Sequence, residues 1–347
     1  MSKLQQNKSL FNLMIVVLGI IAIGILFTTN GSKLTTKTTS NSDDISQNNQ
    51  NQGGGDLDTK KLVETIPTQK ILYSIINDKY TDIYSYDFVT NKPSKVFTDK
   101  DEVDKIKTIS SITNEGKVLA LMSQPGQEFS GKLYLIRTDG SGKKELLIDD
   151  FASPQPAQIS PDGKKLCYIL FSNSEKDFGF KLIEADSDGS NKKQLTTDTT
   201  NISQLGWSPD SNSFVYIKSN NNDMYKINIT TLKEEKITTF NDDQLQSFSW
   251  SEIGIIISKY QKGNNNFNNA EIFTINLTDN STKKITSNSL YDNFAYYDSL
   301  GNLVYLSLDY DIKDANILYK QGKIQLLSTN GITKEVTNAN QILGWKN

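Results

Sequence analysis

Six apolar residues, Val96, Leu146, Leu195, Ile237, Ile285 and Val336, each carry the same kind of neighbours upstream. Ten residues back stand Tyr86, Ile136, Ala185, Ile227, Ile275 and Leu326; twelve back stand Tyr84, Tyr134, Ile183, Tyr225, Phe273 and Ile324. All twelve are apolar or aromatic. This internal spacing never slips, whereas the anchors themselves lie 50, 49, 42, 48 and 51 residues apart. A unit with a constant interior and a variable overall length, recurring about every 48 residues, suits a four-stranded propeller blade whose loops differ in length.

Within each unit apolar and polar residues alternate with period two, and no long 3.6-residue stripe occurs beyond residue 60. The third unit predicts strands over 158–160, 165–170, 181–185 and 193–196, the last two separated by the turn Asp186-Ser187-Asp188-Gly189-Ser190-Asn191. First strands end on an apolar or aromatic residue before a polar turn, as in Ile159-Ser160-Pro161-Asp162-Gly163 and Trp207-Ser208-Pro209-Asp210-Ser211. The unit ending at Val96 lacks such a strand and opens directly on Ile71-Leu72-Tyr73. After the last anchor, Gln341-Ile342-Leu343-Gly344-Trp345 matches Gln204-Leu205-Gly206-Trp207. The chain's end therefore reads as the missing first strand, which would close a ring and remove open sheet edges. The expectation is an all-β, six-bladed β-propeller with a shared terminal blade over 61–347.

Residues 1–60 read differently. The stretch 10–29 is apolar enough and, at about 30 Å as a helix, long enough to span a bilayer. Lys3 and Lys8 precede it without an acid, which predicts a cytoplasmic N-terminus over 1–9 and an exported remainder. A cleaved signal peptide shares these features, but Phe27-Thr28-Thr29-Asn30-Gly31-Ser32 offers no small-x-small cleavage site, so 10–29 reads as a transmembrane signal-anchor helix. Residues 30–60, rich in Ser, Thr, Asn, Gln and Gly, read as a disordered linker. The expectation is a single-pass cell-membrane protein whose propeller is extracytoplasmic. Asn, Lys and Ile richness is compatible with a bacterial source.

The run Ile159-Ser160-Pro161-Asp162-Gly163-Lys164-Lys165-Leu166, the segment from Ala185 to Thr196, and the second copy Trp207-Ser208-Pro209-Asp210 resemble the WD40-like repeat of TolB-type propellers. Propeller domains of prolyl oligopeptidase relatives use similar repeats. The resemblance implies a six-bladed ring with a binding role over about 68–345 and carries over no functional residue. TolB proteins place a small α/β domain before the ring and act as soluble periplasmic scaffolds; this chain has the anchor and linker there. The peptidase relatives hold a Ser-Asp-His triad in a separate hydrolase domain that nothing here could encode.

The chain contains no histidine, which removes Ser-His-Asp and Cys-His catalysis and the common His-containing metal sites. It has neither a Gly-x-x-x-x-Gly-Lys-Ser/Thr nor a Gly-x-Gly-x-x-Gly loop. Its net charge of −3 and pI near 5.3 do not describe a nucleic-acid surface. Cys167, the only cysteine, reads as a small buried strand residue. Asp186-x-Asp188-Gly189 begins like a calcium loop, but Thr197 stands where the twelfth-position Glu should, so these acids read as turn formers. No cofactor, metal or catalytic residue is expected.

Binding is then assigned to the long segments between second and third strands, where Phe129, Phe178, Phe180, Tyr260 and Phe267 are apolar anchors among polar residues. The bland account is that these aromatics fold back onto the ring. The repeated Tyr84, Tyr134, Tyr225 and Phe273, and Trp207, Trp250 and Trp345, read as packing, since a ligand clamp would not need a copy in every unit. The functional expectation is a membrane-anchored, extracytoplasmic, non-catalytic module that binds or scaffolds a protein, peptide or glycan. The alternatives are a carbohydrate-active enzyme using paired carboxylates and a sensory ectodomain.

Overall fold

The computed structural model describes residues 67, 69–77, 80–100, 106–113, 116, 118–123, 132–146, 157–172, 179–196, 202–218, 222–240, 243–261, 269–309 and 321–346. These form 24 strands in six antiparallel four-stranded sheets. From inner to outer strand, the first sheet is β24 (Gln341–Lys346), β1 (Lys70–Ile76), β2 (Thr81–Asp87) and β3 (Lys92–Asp99). The second runs β4 (Ile106–Ile112), β5 (Val118–Ser123), β6 (Lys132–Arg137), β7 (Lys144–Leu146). The third runs β8 (Gln158–Ile159), β9 (Lys165–Ser172), β10 (Gly179–Asp186), β11 (Lys193–Gln194). The fourth runs β12 (Ile202–Trp207), β13 (Ser213–Lys218), β14 (Asp223–Asn228), β15 (Glu234–Thr239). The fifth runs β16 (Asp243–Ser251), β17 (Gly254–Gln261), β18 (Glu271–Ile275), β19 (Thr282–Lys284). The sixth runs β20 (Tyr291–Tyr297), β21 (Leu303–Leu308), β22 (Gly322–Leu327), β23 (Thr333–Ala339). Each inner strand contacts the next, and β20 contacts β24, so the circle is closed.

The apolar core lies between sheets. Second strands whose side chains are described, β1, β9, β13, β17 and β21, are buried on both faces, and alternate residues serve opposite neighbours. Phe214 and Tyr216 pack with Cys167, Ile169 and Trp207 at the joint to the third sheet. Val215 and Ile217 pack with Ile255 and Ile257 at the joint to the fifth. Ile256 turns the other way, toward Leu303 and Tyr305, and Val304 and Leu306 then meet Ile71, Tyr73 and Ile342. Leu72 and Leu343 face Tyr134 and Ile136, and Leu133 meets Leu166 and Tyr168. Six apolar joints result, one per pair of neighbouring sheets.

The carboxy-terminal strand occupies the inner place of the first sheet. Lys346, Trp345, Gly344, Ile342 and Gln341 pair with Lys70, Ile71, Leu72, Tyr73 and Ser74. Leu343 is left over as a bulge. Register shifts of this kind also mark β4, β12, β16 and β20 against their second strands. A bulge bends a strand and increases its twist, which suits strands gathered around an axis. On the outer strands of the first, fourth and sixth sheets the unpaired extra residue is Val96, Ile237 or Val336, the anchor of the sequence period itself. The recurrent Gly-Trp pair has a steric cause. A Cβ on Gly206 would overlap the ring of Phe248 in the next sheet, and one on Gly344 would lie 2.8 Å from Cγ2 of Ile112.

Two expectations are corrected. The six blades are not equivalent: five sheets have inner strands of six to nine residues, whereas β8 and β11 keep two residues each. Five full blades and one reduced sheet make up the ring. Proline, which has no amide to donate to a ladder, stands at 156 and 161 on either side of β8. The expected transmembrane segment 10–29, with the flanking 1–9 and 30–60, lies outside the described residues. Among the described residues no helix is long and apolar enough to cross a membrane. The membrane anchor, the single-pass topology and the extracytoplasmic placement are therefore withdrawn, and function is argued from the propeller alone.

Ending the chain after Asn338 removes β24 and exposes the buried Ile71, Leu72 and Tyr73 along an open edge. We expect loss of cooperative unfolding by circular dichroism; a melting temperature equal to that of the full chain would contradict the closure. Gly206→Ala should destabilise the protein by about 1–3 kcal/mol through overpacking against Phe248, read as a lowered denaturation midpoint. An unchanged midpoint would refute the steric account.

Candidate functional site

Antiparallel order sorts the connections into two groups. The segments joining second to third strands, and those joining a fourth strand to the next first strand, leave from one end of the sheets. The tight turns joining first to second and third to fourth strands lie at the other. Phe129, Phe178 and Phe267 fall in the first group and lie outside the described residues. Phe180, on β10, is half-buried against the cluster containing Trp207 and Tyr216. Tyr260, on β17, is half-buried against the cluster containing Tyr291 and Leu308. The two described aromatics thus pack against different joints.

At the same end, third strands begin with acids that the sequence reading passed over. Asp82 pairs with Lys95 at 2.8 Å and accepts a hydrogen bond from Thr98 Oγ1 at 2.5 Å. Asp223 pairs with Lys236 at 2.8 Å and accepts from Thr239 Oγ1 at 2.6 Å. Glu271 pairs with Lys284 at 2.5 Å. Each acid stands two residues before the repeated aromatic position, and each lysine stands immediately before an anchor, so the spacing held the signal. The second unit has Lys132 and Glu145 at these positions, with the signs reversed. Asp82 and Asp223 are buried while their lysines are half exposed, so the pairs fasten the outer strand with the ammonium groups still hydrated.

The repeated aromatics have a further role beside packing. Lysine ammonium groups lie over Tyr84, Tyr134, Tyr225 and Phe273, from Lys95, Lys143, Lys218 and Lys259, at 5.5, 4.6, 4.2 and 4.4 Å from the ring centroids. Such contacts contribute about 0.5–1 kcal/mol each at exposed sites. They shield one face of Tyr84, Tyr225 and Phe273, which the joints leave partly uncovered, and of the buried Tyr134.

Among the described residues Asp292, on β20, is the most enclosed carboxyl group. It has no exposed surface. It accepts from Ser307 Oγ and, at 2.9 Å, from Asn288 Nδ2, while its own carbonyl accepts from Ser258 Oγ across the joint to the fifth sheet. Burial raises its pKa above the ordinary carboxylate range, against the lowering effect of its hydroxyl and amide donors. Nearby Tyr305 is pushed up to about 12, chiefly by burial and secondarily by Asp292. Burial likewise pushes the Cys167 thiol well above its usual range, which makes it a poor nucleophile. The acids of the calcium-like turn are engaged within it or with a neighbouring lysine. Asp188 accepts from the amide and hydroxyl of Ser190 at 2.9 and 2.6 Å, and Asp186 meets Lys165 at 2.9 Å and Asn191 Nδ2 at 2.6 Å. Among the described residues no three His, Cys, Asp or Glu side chains gather as metal ligands would.

No family model matches the chain. TolB from Acinetobacter baumannii is 15% identical with a TM-score of 0.60, over 81% of this chain and 68% of that one. A chain of the nidogen/laminin complex is 9% identical with a TM-score of 0.56, over 81% of this chain and 98% of its own length. The tricorn protease matches at 12% identity and a TM-score of 0.50, over 79% of this chain and 31% of that one. The shared feature is the propeller fold. The resemblance to TolB-type repeats is accordingly corrected: it extends to the architecture, here with five full blades, and carries no family assignment.

A buried acid with a raised folded pKa opposes folding once it ionises. Its contribution is neutral below about pH 4, where folded and unfolded forms are both protonated, and turns destabilising as pH rises through the folded value. Asp292→Asn should therefore flatten the decline of stability across that interval relative to the native chain, measured by urea unfolding between pH 4 and 8. Parallel profiles for the two proteins would contradict this.

Proposed function

We propose that the propeller is a non-catalytic binding or scaffold module that engages a protein, peptide or glycan at the end bearing the long segments. The observation that carries this reading is where the buried acids go. Asp82, Asp223 and Asp292 are tied to lysines, hydroxyls or amides within their own blades. They tie strands together within their own sheets and, among the described residues, do not converge on a cleft, as the two carboxyl groups of a glycoside hydrolase must. Variation is concentrated instead in connection length at one end, the usual arrangement when a rigid scaffold carries a binding surface. The nidogen/laminin likeness supports the reading from outside, since that propeller was solved in a protein complex.

Phe129, Phe178, Phe180, Tyr260 and Phe267 are the proposed contact residues. Photo-crosslinkers introduced beside Phe180 and Tyr260 in the full chain should capture a partner at fixed stoichiometry. Changing Phe129, Phe178 and Phe267 to Ser, with Phe180 and Tyr260 left in their packing, should reduce capture at least tenfold while the unfolding midpoint stays within a few degrees. Undiminished capture by that variant would remove this face from consideration. Glycan turnover abolished by Asp82→Asn or Glu271→Gln would replace the binding reading with a catalytic one.

A further inference from the structure

The connection from β19 to β20 leaves from the end bearing the long segments and is folded over the Asp292 carboxyl group. Thr286 Oγ1 accepts from the amide of Ile272 at 3.0 Å and donates to Asp292, and Asn288 Nδ2 donates to Asp292 at 2.9 Å. Asn288 Oδ1 accepts in turn from the amide of Leu290 at 2.8 Å, which bends the connection around that contact. Ser287, Asn288 and Ser289 are exposed, whereas Asp292 has no exposed surface. An exposed side chain thus reaches a fully buried carboxyl group. Among the described residues no backbone–backbone hydrogen bond holds 287–290, so side-chain contacts alone keep this stretch in place.

Few charged groups face the site. β18 brings Glu271, which is paired with Lys284 of β19 at 2.5 Å. β21 brings Ser307 and Tyr305, the latter keeping its proton up to about 12. β17 brings the Ser258 hydroxyl, while its Lys259 lies over the Phe273 ring instead. β16 meets β20 with Gln246, Ser247 and Ser249, and β24 meets it with Ile342. Burial favours the protonated carboxyl most strongly and Glu271 adds to it; Ser307, Thr286 and Asn288 donate to the carboxylate and offset only part of this.

The enclosed carboxyl group therefore keeps its proton to a higher pH than one in water. By linkage, enclosure of Asp292 and proton binding favour each other. The enclosed arrangement has its full advantage below the ordinary carboxylate value of about 4 and loses it as pH rises through the higher folded value.

We propose that the connection 286–290 is a pH-sensitive strap, closed over Asp292 in acid and swung outward as the carboxyl group ionises, which reshapes the end of the sixth sheet that bears the long segments. Opening exchanges the contacts of Asn288 and Thr286 for water around the carboxylate, and leaves the pairing of β20 with β21 in place.

Ser289 is exposed and Cys167 is fully buried, so Ser289→Cys takes a single thiol-reactive dye in the full chain. Acrylamide quenching of that dye should rise at least twofold between about pH 4 and pH 8, the interval above the ordinary carboxylate value. The same dye at Lys192→Cys, in a turn of the third sheet, should show no such rise. Asp292→Asn, which has no proton to lose, should flatten the Ser289→Cys profile. Glu271→Gln removes the like charge and should move the midpoint of the profile to lower pH, an arm that stands even if Asp292→Asn does not fold. The proposal is overturned if quenching is flat with pH, if it rises equally at position 192, if the rise survives Asp292→Asn, or if Glu271→Gln leaves the midpoint in place. The dye reports on the strap with no partner present, so failure of the strap and failure of the partner reading are separately visible.

Discussion

Burial of the second strands on both faces is the constraint on which the rest depends. Phe214 and Val215 are consecutive, yet one completes the joint to the third sheet and the other the joint to the fifth. No sheet therefore has a core of its own; each borrows half from either side. An array of this kind is stable only if every sheet has two neighbours, and the pairing of β24 with β1 meets that condition at the point where the chain would otherwise leave two open edges. Glycines at 206 and 344 then let the inner strands approach closely enough for Phe248 and Ile112 to fill the space between them.

The chemistry of the molecule follows the same logic. Carboxylates and lysines recur at fixed offsets because each fastens an outer strand to its third strand, and the buried carboxyl of Asp292 is held by Ser307 and Asn288 of its own unit. A charged group used in this way is already saturated with partners, and a reacting group must keep a face free for substrate. The division of labour within the fold puts cohesion in the strands and variation in length in the connections at one end.

Much of the architecture was legible in the residues. The offsets of ten and twelve marked the third strands, since period-two burial forces apolar residues to recur at fixed distances from one another, and the likeness of 341–345 to 204–207 marked the closing strand. The bulges were not legible: Val96, Ile237 and Val336 look like ordinary strand residues, and only pairing reveals them as extra. Reduction of the third sheet was equally hidden, because Ile159-Ser160-Pro161-Asp162-Gly163 is the best-preserved motif of the chain and yet sits on its shortest inner strand. The Asp82, Asp223 and Glu271 pairs could have been found, since acid and lysine keep a constant separation of thirteen residues.

The alternation of second-strand residues between two joints explains why lengths vary where they do. A residue inserted into β13 would rotate every side chain beyond it by half a pleat, sending those that face the third sheet toward the fifth and the reverse. Two interfaces would be mispacked by one mutational event. Insertions in the connections disturb neither, so the anchors can drift from 42 to 51 residues apart while the interval from anchor to third strand stays fixed. The metre of the sequence is a record of where the ring tolerates change.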